Sequence, residues 1–376
     1  MPLGALEGVL VADFSRVLAG PIATMLLGDL GADVVKVERP GGGDDTREWG
    51  PPWVDRGATY YLGLNRNKRS ITLDLHAAED LDLARRLAAR ADVVIESFRP
   101  GTMDRLGLGR EAVAKANPGA ITCSVSAFGP DSTLAGYDLL LQAAGGLMSL
   151  TGEADGPPLK VGAPVVDLIC GLHATIGILA ALHARAADPE GRGQHVDVTL
   201  MEAALSSLVN QASAFLLAGV VGHRNGNIHP SIAVYQPFEA SDGPFVVAAA
   251  NDALWRSVCD VIDRPELADD ERFADNGRRR EHVEELRKLL DEAFSRRPAE
   301  EWIALLQEAG VPAGPINDVG EAFAMATELG LDPIVDIDGL RLLRPPVRLS
   351  RTPATVRLPP PALGEHDDEL RAWLSS

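Results

Sequence analysis

The chain has 376 residues, of which 46% are hydrophobic and 24% are charged, a composition typical of a folded globular protein and not of a disordered or fibrous one. Its formal net charge of −19 disfavours nucleic acid as a partner, because the phosphate backbone repels an acidic protein. Three widely separated cysteines, Cys123, Cys170 and Cys259, offer neither a disulfide framework nor the close spacing of a zinc site, so we expect no metal.

The N-terminal residues, MPLGALEGVLVADFSR, lack the basic region of a signal peptide. No apolar stretch of about 20 residues without charge occurs further along the chain, so the sequence indicates no membrane span. We therefore expect a cytoplasmic protein.

Five short runs rich in Val and Ile predict strands. They are GVLVADF (8–14), ADVVKVE (32–38), SITLDL (70–75), ADVVIESF (91–98) and AITCSVSAF (120–128). Helical patterns lie between them, such as PIATMLLGDLG, which Gly31 would end, and AAEDLDLARRLAAR. Strands that alternate with helices predict an α/β fold with a doubly wound parallel sheet, in which ligands gather at the carboxyl ends of the strands.

Two segments of this region are candidate ligand contacts. The loop SRVLAGP (15–21) follows the first predicted strand, but it holds a single glycine and not the spaced triplet of a dinucleotide fingerprint, and no phosphate-binding GKS or GKT loop occurs in the chain. Both observations disfavour nicotinamide and ATP chemistry. The cluster NRNKRS (65–70) could meet a small anion, although such charges taken singly are more often solvated surface groups.

In the segment from 155 to 182, the apolar run that follows Asp155 contains a single carboxylate, Asp167. Burying an ionised carboxylate without a partner is unfavourable by several kcal/mol, so we expect a helix dipole, hydrogen bonds or a chemical role to compensate. The preceding Gly162 and Pro164 place Asp167 at the start of a helix, where the terminal amides should keep it ionised and make it a reactive nucleophile. The alternative is a plain helix cap, since Asp is a preferred capping residue.

The second half of the chain predicts a smaller domain after a linker. Residues 191–217 have the pattern of a turn, a strand and a long helix, and VGHRNGNIHP then ends the periodicity with Gly, Asn and Pro, so we place a linker over 206–232. Strand patterns followed by amphipathic helices predict a small α+β domain over 233–329. The Pro-rich tail predicts extended segments and a terminal helix.

Ten segments, taken in order, resemble the class III CoA-transferases of the formyl-CoA transferase (CaiB/BaiF) type, a family related to the racemases of 2-methylacyl-CoA. They are GVLVADFSRVLAGP, LGDLGADVVKVERP, NRNKRSITLDL, ADVVIESFRPG, VGAPVVD, GILAAL, GRGQHVDV, RNGNIHP, AGVPAGPIND and LGEHDDE. The resemblance implies a Rossmann-like large domain, formed by 1–205 and completed by 330–376. It also implies a ring-shaped subunit that interlocks with a second copy in a homodimer. The implied partners are an acyl-CoA and a carboxylic acid, with the coenzyme A thioester as a substrate and no tightly bound cofactor.

The resemblance places the catalytic aspartate at Asp167. Positions that correspond to the family's CoA contacts, or that lie in the segment before the catalytic one, are Val17, Leu18, Ala19, Arg39, Leu73, Asp74, Ser97, Phe98, Arg99, Arg105, Tyr137 and Asp138. Among them, Arg39 and Arg105 could pair with the phosphates of CoA. Leu18 and Ser97 stand where relatives of the formate enzyme have Gln and Asn.

The implied reaction is a double displacement on a thioester, through a mixed anhydride and an aspartyl-CoA thioester on Asp167. Racemisation of a 2-methylacyl-CoA is the main alternative, but that branch pairs the aspartate with a histidine where this chain has Tyr137, and a phenol is a poor base close to neutral pH. A non-catalytic acyl-CoA-binding protein is a third possibility, which the presence of Asp167 disfavours. The acids exchanged are not evident from the sequence, although Arg224 in the linker would suit a dicarboxylate.

Overall fold

The computed structural model describes residues 4–376. The strands, β1 to β13 in chain order, are Leu10–Phe14, Asp33–Glu38, Trp53–Val54, Gly57–Ala58, Lys68–Thr72, Val93–Glu96, Ile121–Ser126, His195–Thr199, Tyr235–Glu239, Pro244–Ala248, Ala313–Pro315, Ile334–Ile337 and Leu340–Leu343. The α-helices, α1 to α17, are Ala19–Asp29, Thr59–Leu64, Ala78–Arg90, Thr102–Leu106, Arg110–Ala116, Asp138–Ala144, Leu147–Leu150, Val165–Ala187, Leu200–Ser207, Asn210–Ala218, Asp252–Val261, Glu266–Asp269, Asn276–Glu281, Val283–Phe294, Ala299–Glu308, Val319–Glu328 and Asp367–Ser375. A 3₁₀ turn spans Asp45–Glu48.

A six-stranded sheet, in which every neighbouring pair is parallel, forms the centre of the larger unit. Its order is β5-β2-β1-β6-β7-β8. The five predicted runs supply five of these strands, and His195–Thr199 supplies the sixth, which confirms the parallel sheet. When these six strands are numbered by themselves, the order is 3-2-1-4-5-6, the order of the dinucleotide-binding α/β folds.

Both faces of this sheet are covered, because successive strand residues point to opposite sides. Val11 packs in a cluster with α1, α8 and α9, whereas the adjacent Ala12 packs in a second cluster with α3, α5 and α17. Val93 and Val94 divide between the same two clusters. Strands buried on both sides are continuous apolar runs, and the Val- and Ile-rich segments are therefore recognisable in the sequence.

The chain divides into two compact units. The larger one comprises residues 1–148, 160–221 and 332–376, of which the structure describes all but the first three, and the smaller one comprises 149–159 and 222–331. The smaller unit has a three-stranded antiparallel sheet of order β11-β10-β9. Its core contains Phe294, and the ring centroids of Phe238, Phe245 and Trp302 lie 5.1–5.3 Å from that of Phe294.

The single long helix predicted after His195–Thr199 is instead broken in two. Val209 has a φ of 42°, which an α-helix does not accommodate, and α9 and α10 meet there at 85°. The second of these helices, α10 (Asn210–Ala218), lies inside the stretch 206–232 that we predicted to be a linker. Helix α8 is long and apolar enough to cross a bilayer, but residues along it are buried against α1 and α9 within the larger unit.

Candidate active site

The loop after β1 holds the first of the predicted contacts in a strained conformation. Val17 has a φ of 71°, an unfavourable value for a β-branched residue, and such strain is concentrated at functional sites. Its backbone N–H points at the Asp44 carboxylate, 3.3 Å from each oxygen, and the N–H of Arg16 donates to Ser97 Oγ at 3.0 Å. The loop is thus held between the segment after β2 and the end of β6, the two strands that flank β1.

Most of the predicted contacts line two cavities of the larger unit at these strand ends. The loop cavity, of about 260 Å³, is lined among others by Val17, Leu18, Ala19, Ser97, Phe98, Arg99, Tyr137 and Asp167. The edge cavity, of about 210 Å³, is lined among others by Arg39, Leu73, Asp74 and Phe98. Since Phe98 and Arg16 line both, the two cavities are neighbours.

Three predicted contacts carry a basic group: Arg99 lines the loop cavity, and the other two, Arg39 and Arg105, are the predicted phosphate contacts. Arg39 is 55% exposed at its side chain and already pairs with Asp45 at 2.7 Å. Arg105 lies on α4, donates a 3.0 Å hydrogen bond to Thr102 Oγ1 and lines neither cavity. Arg39 is therefore the better placed of the two to meet a bound anion in the edge cavity.

Asp167 lies in the first turn of α8, as the sequence predicts, and is 8% exposed. Helix α8 approaches α1 closely because Gly171 has no side chain: a Cβ there would lie 2.6 Å from the carbonyl oxygen of Ala19. This contact sets the N-terminus of α8 beside the loop after β1. Within residues 4–376, the Asp167 carboxylate receives no hydrogen bond, so it faces the cavity without a partner.

The expectation that Asp167 is held ionised by the helix terminus is wrong. Burial, and after it the charge of Asp138, raise the pKa of Asp167 from 3.8 to about 7. The amides assigned to Asp167 are occupied by Asp138, whose Oδ1 accepts from the N–H of Val166 at 2.8 Å and from that of Asp167 at 3.2 Å. Asp138 therefore caps α8 from a different helix and places a second negative charge beside Asp167.

A fully buried glutamine holds this second carboxylate. Gln142 Nε2 donates to Asp138 Oδ2 at 2.6 Å, and Gln142 Oε1 accepts from the N–H of Val161 at 2.8 Å. Gln142 thus links α6 to the segment that leads into α8. The sequence gives no sign of this role, because glutamine one helical turn after an aspartate is an ordinary pattern on a helix.

A third cavity, the acid cavity, opens at the same helix terminus. Its volume is about 520 Å³, and it is lined by Val17, Trp49, Tyr60, Tyr137, Asp138, Leu139, Lys160, Gly162, Pro164 and Asp167. Sequence reasoning missed Trp49, Tyr60 and Lys160. The rings of Trp49 and Tyr60 meet edge to face at 5.4 Å, and burial together with the charges of Asp167 and Asp138 raises the pKa of Tyr60 to about 12, so its hydroxyl remains a hydrogen-bond donor.

The cluster NRNKRS is not a site for a small anion. Arg66 and Lys68 are buried and pair inside the protein, Arg66 with Asp29 at 2.6 Å and Lys68 with Asp13 at 3.1 Å. Arg69 pairs with Asp33 and with Glu369. All three cations pair with carboxylates from other segments, so none is free for a ligand, and Arg66 and Lys68 are not solvated surface charges either.

The chain is similar to known proteins over nearly its whole length. A model of CoA-transferase family III matches residues 6–367. The succinate–glutarate CoA-transferase of Agrobacterium fabrum is 39% identical over 393 residues, with 99% of this chain and 96% of that protein covered. The acetyl-CoA:oxalate CoA-transferase of Acetobacter aceti is 40% identical over 353 residues, with 93% and 90% covered. A CaiB/BaiF family protein from Brucella suis has a similar solved structure, with a TM-score of 0.89, 42% identity and 100% of both chains covered.

Proposed function

Because the chain belongs to CoA-transferase family III and is a CoA-transferase, we propose that it moves CoA from an acyl-CoA thioester to a free dicarboxylic acid by covalent catalysis on Asp167. The observation that carries the proposal is a buried carboxylate without a hydrogen-bond partner that lines both the loop cavity and the acid cavity. A carboxylate that is neither solvated nor hydrogen-bonded is a stronger nucleophile than one in water.

In the first half of the reaction, the ionised Asp167 attacks the acyl carbonyl of the donor. The C–S bond breaks, CoA leaves as a thiolate, and a mixed anhydride joins the acyl group to Asp167. The thiolate then attacks the aspartyl carbonyl of the anhydride, which releases the donor acid and leaves CoA as a thioester on Asp167. Burial and Asp138 set the pKa of Asp167 at about 7, so a substantial fraction is ionised at neutral pH.

In the second half, the acceptor carboxylate attacks the aspartyl thioester and releases the thiolate, and the thiolate attacks the acceptor's carbonyl in the new anhydride. The products are the acceptor's CoA thioester and free Asp167. The overall reaction exchanges one thioester for another of similar energy through more activated anhydrides, so it balances without ATP. The hydroxyl of Tyr60, a neutral donor in the acid cavity, is suited to stabilise the oxyanions.

The donor's CoA moiety would occupy the loop and edge cavities. The buried Leu18 and Ala19 and the ring of Phe98 offer apolar contacts to the pantetheine stem, and Arg39 offers a guanidinium to a phosphate after release from Asp45. Arg105, on the surface nearby, remains a predicted phosphate contact. Two relatives are named for dicarboxylates, succinate and glutarate in one and oxalate in the other, which supports an acceptor of this class. The interlocked homodimer, with 1–205 and 330–376 in the large domain, remains part of this proposal.

The test is mass spectrometry of the intact protein after incubation with succinyl-CoA or acetyl-CoA. Hydroxylamine or borohydride traps the activated aspartate, and digestion maps the modified peptide. We expect the modification at Asp167 in the wild type and in the surface control Asp33→Asn, but not in Asp167→Ala. If no donor gives an adduct and deuterium from solvent instead enters C2 of a 2-methylacyl-CoA, the enzyme is acting as a racemase and the proposal is wrong.

A further inference from the structure

The charges that line the acid cavity are unequal in number. Asp138 and Asp167 contribute two carboxylates, and Lys160 contributes the one cation among the residues that line it. The remaining walls are aromatic or apolar and include the contacting rings of Trp49 and Tyr60. A second carboxylate on a substrate would be repelled by Asp138 in such a cavity, unless a cation met it there.

The ammonium of Lys160 is available for that contact. Its Nζ lies 3.3 Å from the carbonyl oxygen of Val161 and 3.4 Å from that of Gly162, and it forms no ion pair within residues 4–376. An ammonium has three donors, and backbone carbonyls do not neutralise its charge. The loop that carries it is tied to α6 through Val161 and Gln142, so the position of Lys160 relative to Asp167 is restrained from both ends.

We propose that Lys160 is the specificity-determining residue for the acid, binding the distal carboxylate of a dicarboxylic acceptor while the near carboxylate reacts at Asp167. The methylene chain of the acid would lie against Trp49 and Tyr60. This inference rests on the proposed function and names the side chain by which the same site distinguishes a dicarboxylate from a monocarboxylate of equal length. The sequence suggested Arg224 for this role, which belongs to the smaller unit, whereas Lys160 lines the same cavity as Asp167.

The experiment is a competition between two acceptors, glutarate and pentanoate, at equal concentration with one acyl-CoA donor. Both acids react with the same enzyme-bound CoA, so the ratio of glutaryl-CoA to pentanoyl-CoA depends only on the acceptor half of the reaction. We expect the wild type to favour glutaryl-CoA. In Lys160→Met, which keeps the apolar stem, the ratio should shift toward pentanoyl-CoA on the order of 10- to 100-fold, the value of one charge-assisted hydrogen bond.

Two controls make the result specific. Lys160→Arg keeps the charge and should restore most of the preference, and Lys115→Met, on the exposed surface of α5, should leave the ratio unchanged. An unchanged ratio in Lys160→Met, including one where both products fall together, overturns the role of Lys160 while leaving covalent transfer on Asp167 intact. Failure of the wild type to form either product from succinyl-CoA or acetyl-CoA would instead refute the proposed acceptor class, and this inference with it.

Discussion

Two buried aspartates of the larger unit, Asp13 at the end of β1 and Asp167 at the start of α8, show opposite solutions to the same problem. Asp13 is fully buried and accepts from Lys68 Nζ at 3.1 Å, from Thr24 Oγ1 at 2.6 Å and from the hydroxyl of Ser15. Burial by itself raises the pKa of Asp13, but the charges of Lys68 and Lys36 and these hydrogen bonds outweigh it and hold the pKa at about 2.

Asp167 is slightly less buried and has none of this compensation. Its neighbour is another carboxylate, Asp138, and its pKa is about 7. The difference shows that burial alone does not leave a carboxylate with a raised pKa, since Asp13 is the more deeply buried of the two. The missing set of partners is the feature on which we base the proposed chemical role of Asp167.

The largest expected effect is the loss of activity when the carboxylate of Asp167 is replaced by an amide. We expect Asp167→Asn to lower kcat for CoA transfer by at least ~10³-fold, because an amide does not form the anhydride. Steady-state rates with one donor and glutarate check it. Wild-type rates in this variant would show that another group is the nucleophile.

At Asp13, in contrast, we expect the substitution to lower the stability of the protein. Asp13→Ala leaves the ammonium of Lys68 buried beside Lys36 without its carboxylate, and we expect the free energy of unfolding to fall by about 3–5 kcal/mol. Urea denaturation followed by circular dichroism measures it. The control is Asp33→Asn, which removes a 51% exposed partner of Arg69 and should cost less than about 1 kcal/mol. Equal losses in the two variants would mean that the buried pair is no more important than the exposed one.

The pH dependence of stability tests Asp167 directly. Its pKa in the folded protein lies above the ordinary 3.8, so the fold favours the protonated form and is penalised as the pH rises from 3.8 to about 7. The full penalty corresponds to roughly 4 kcal/mol. Asp167→Asn avoids it and should be more stable than the wild type at pH 8, with little difference at pH 4. Melting temperatures of both proteins across this range give the result, and a constant difference would contradict the raised pKa.

The smallest expected effect is that of a substitution at Gln142, which holds Asp138. Gln142→Leu leaves Asp138 Oδ2 and the N–H of Val161 without their buried partner, which should cost about 1–3 kcal/mol of stability. Because Asp138 also orients the start of α8, we expect kcat to fall about tenfold. We also expect the pH profile of kcat to shift. Gln307→Leu, at an exposed glutamine of α15, is the matched control. A loss of stability with kcat and its pH profile unchanged would limit Gln142 to a structural role.

The sequence by itself determined the central sheet, the first-turn position of Asp167 on its helix, and the family. These features are local: Val- and Ile-rich runs, a proline and an apolar helix can be recognised within a few residues, and the family is carried by short segments in a fixed order. The break at Val209 is the exception among the helices, since no glycine or proline marks it in the sequence.

Only the tertiary structure decided which charges are committed and which are free. Lys68 meets Asp13 across 55 residues of chain and Asp138 meets the amides of α8 across 28 and 29, so nothing near these residues in the sequence reveals the partner. A pKa depends on water excluded and charges placed by such distant segments. The same dependence explains why NRNKRS suggested an anion site that the fold does not form, and why Lys160 and Tyr60 were missed although they line the cavity at Asp167.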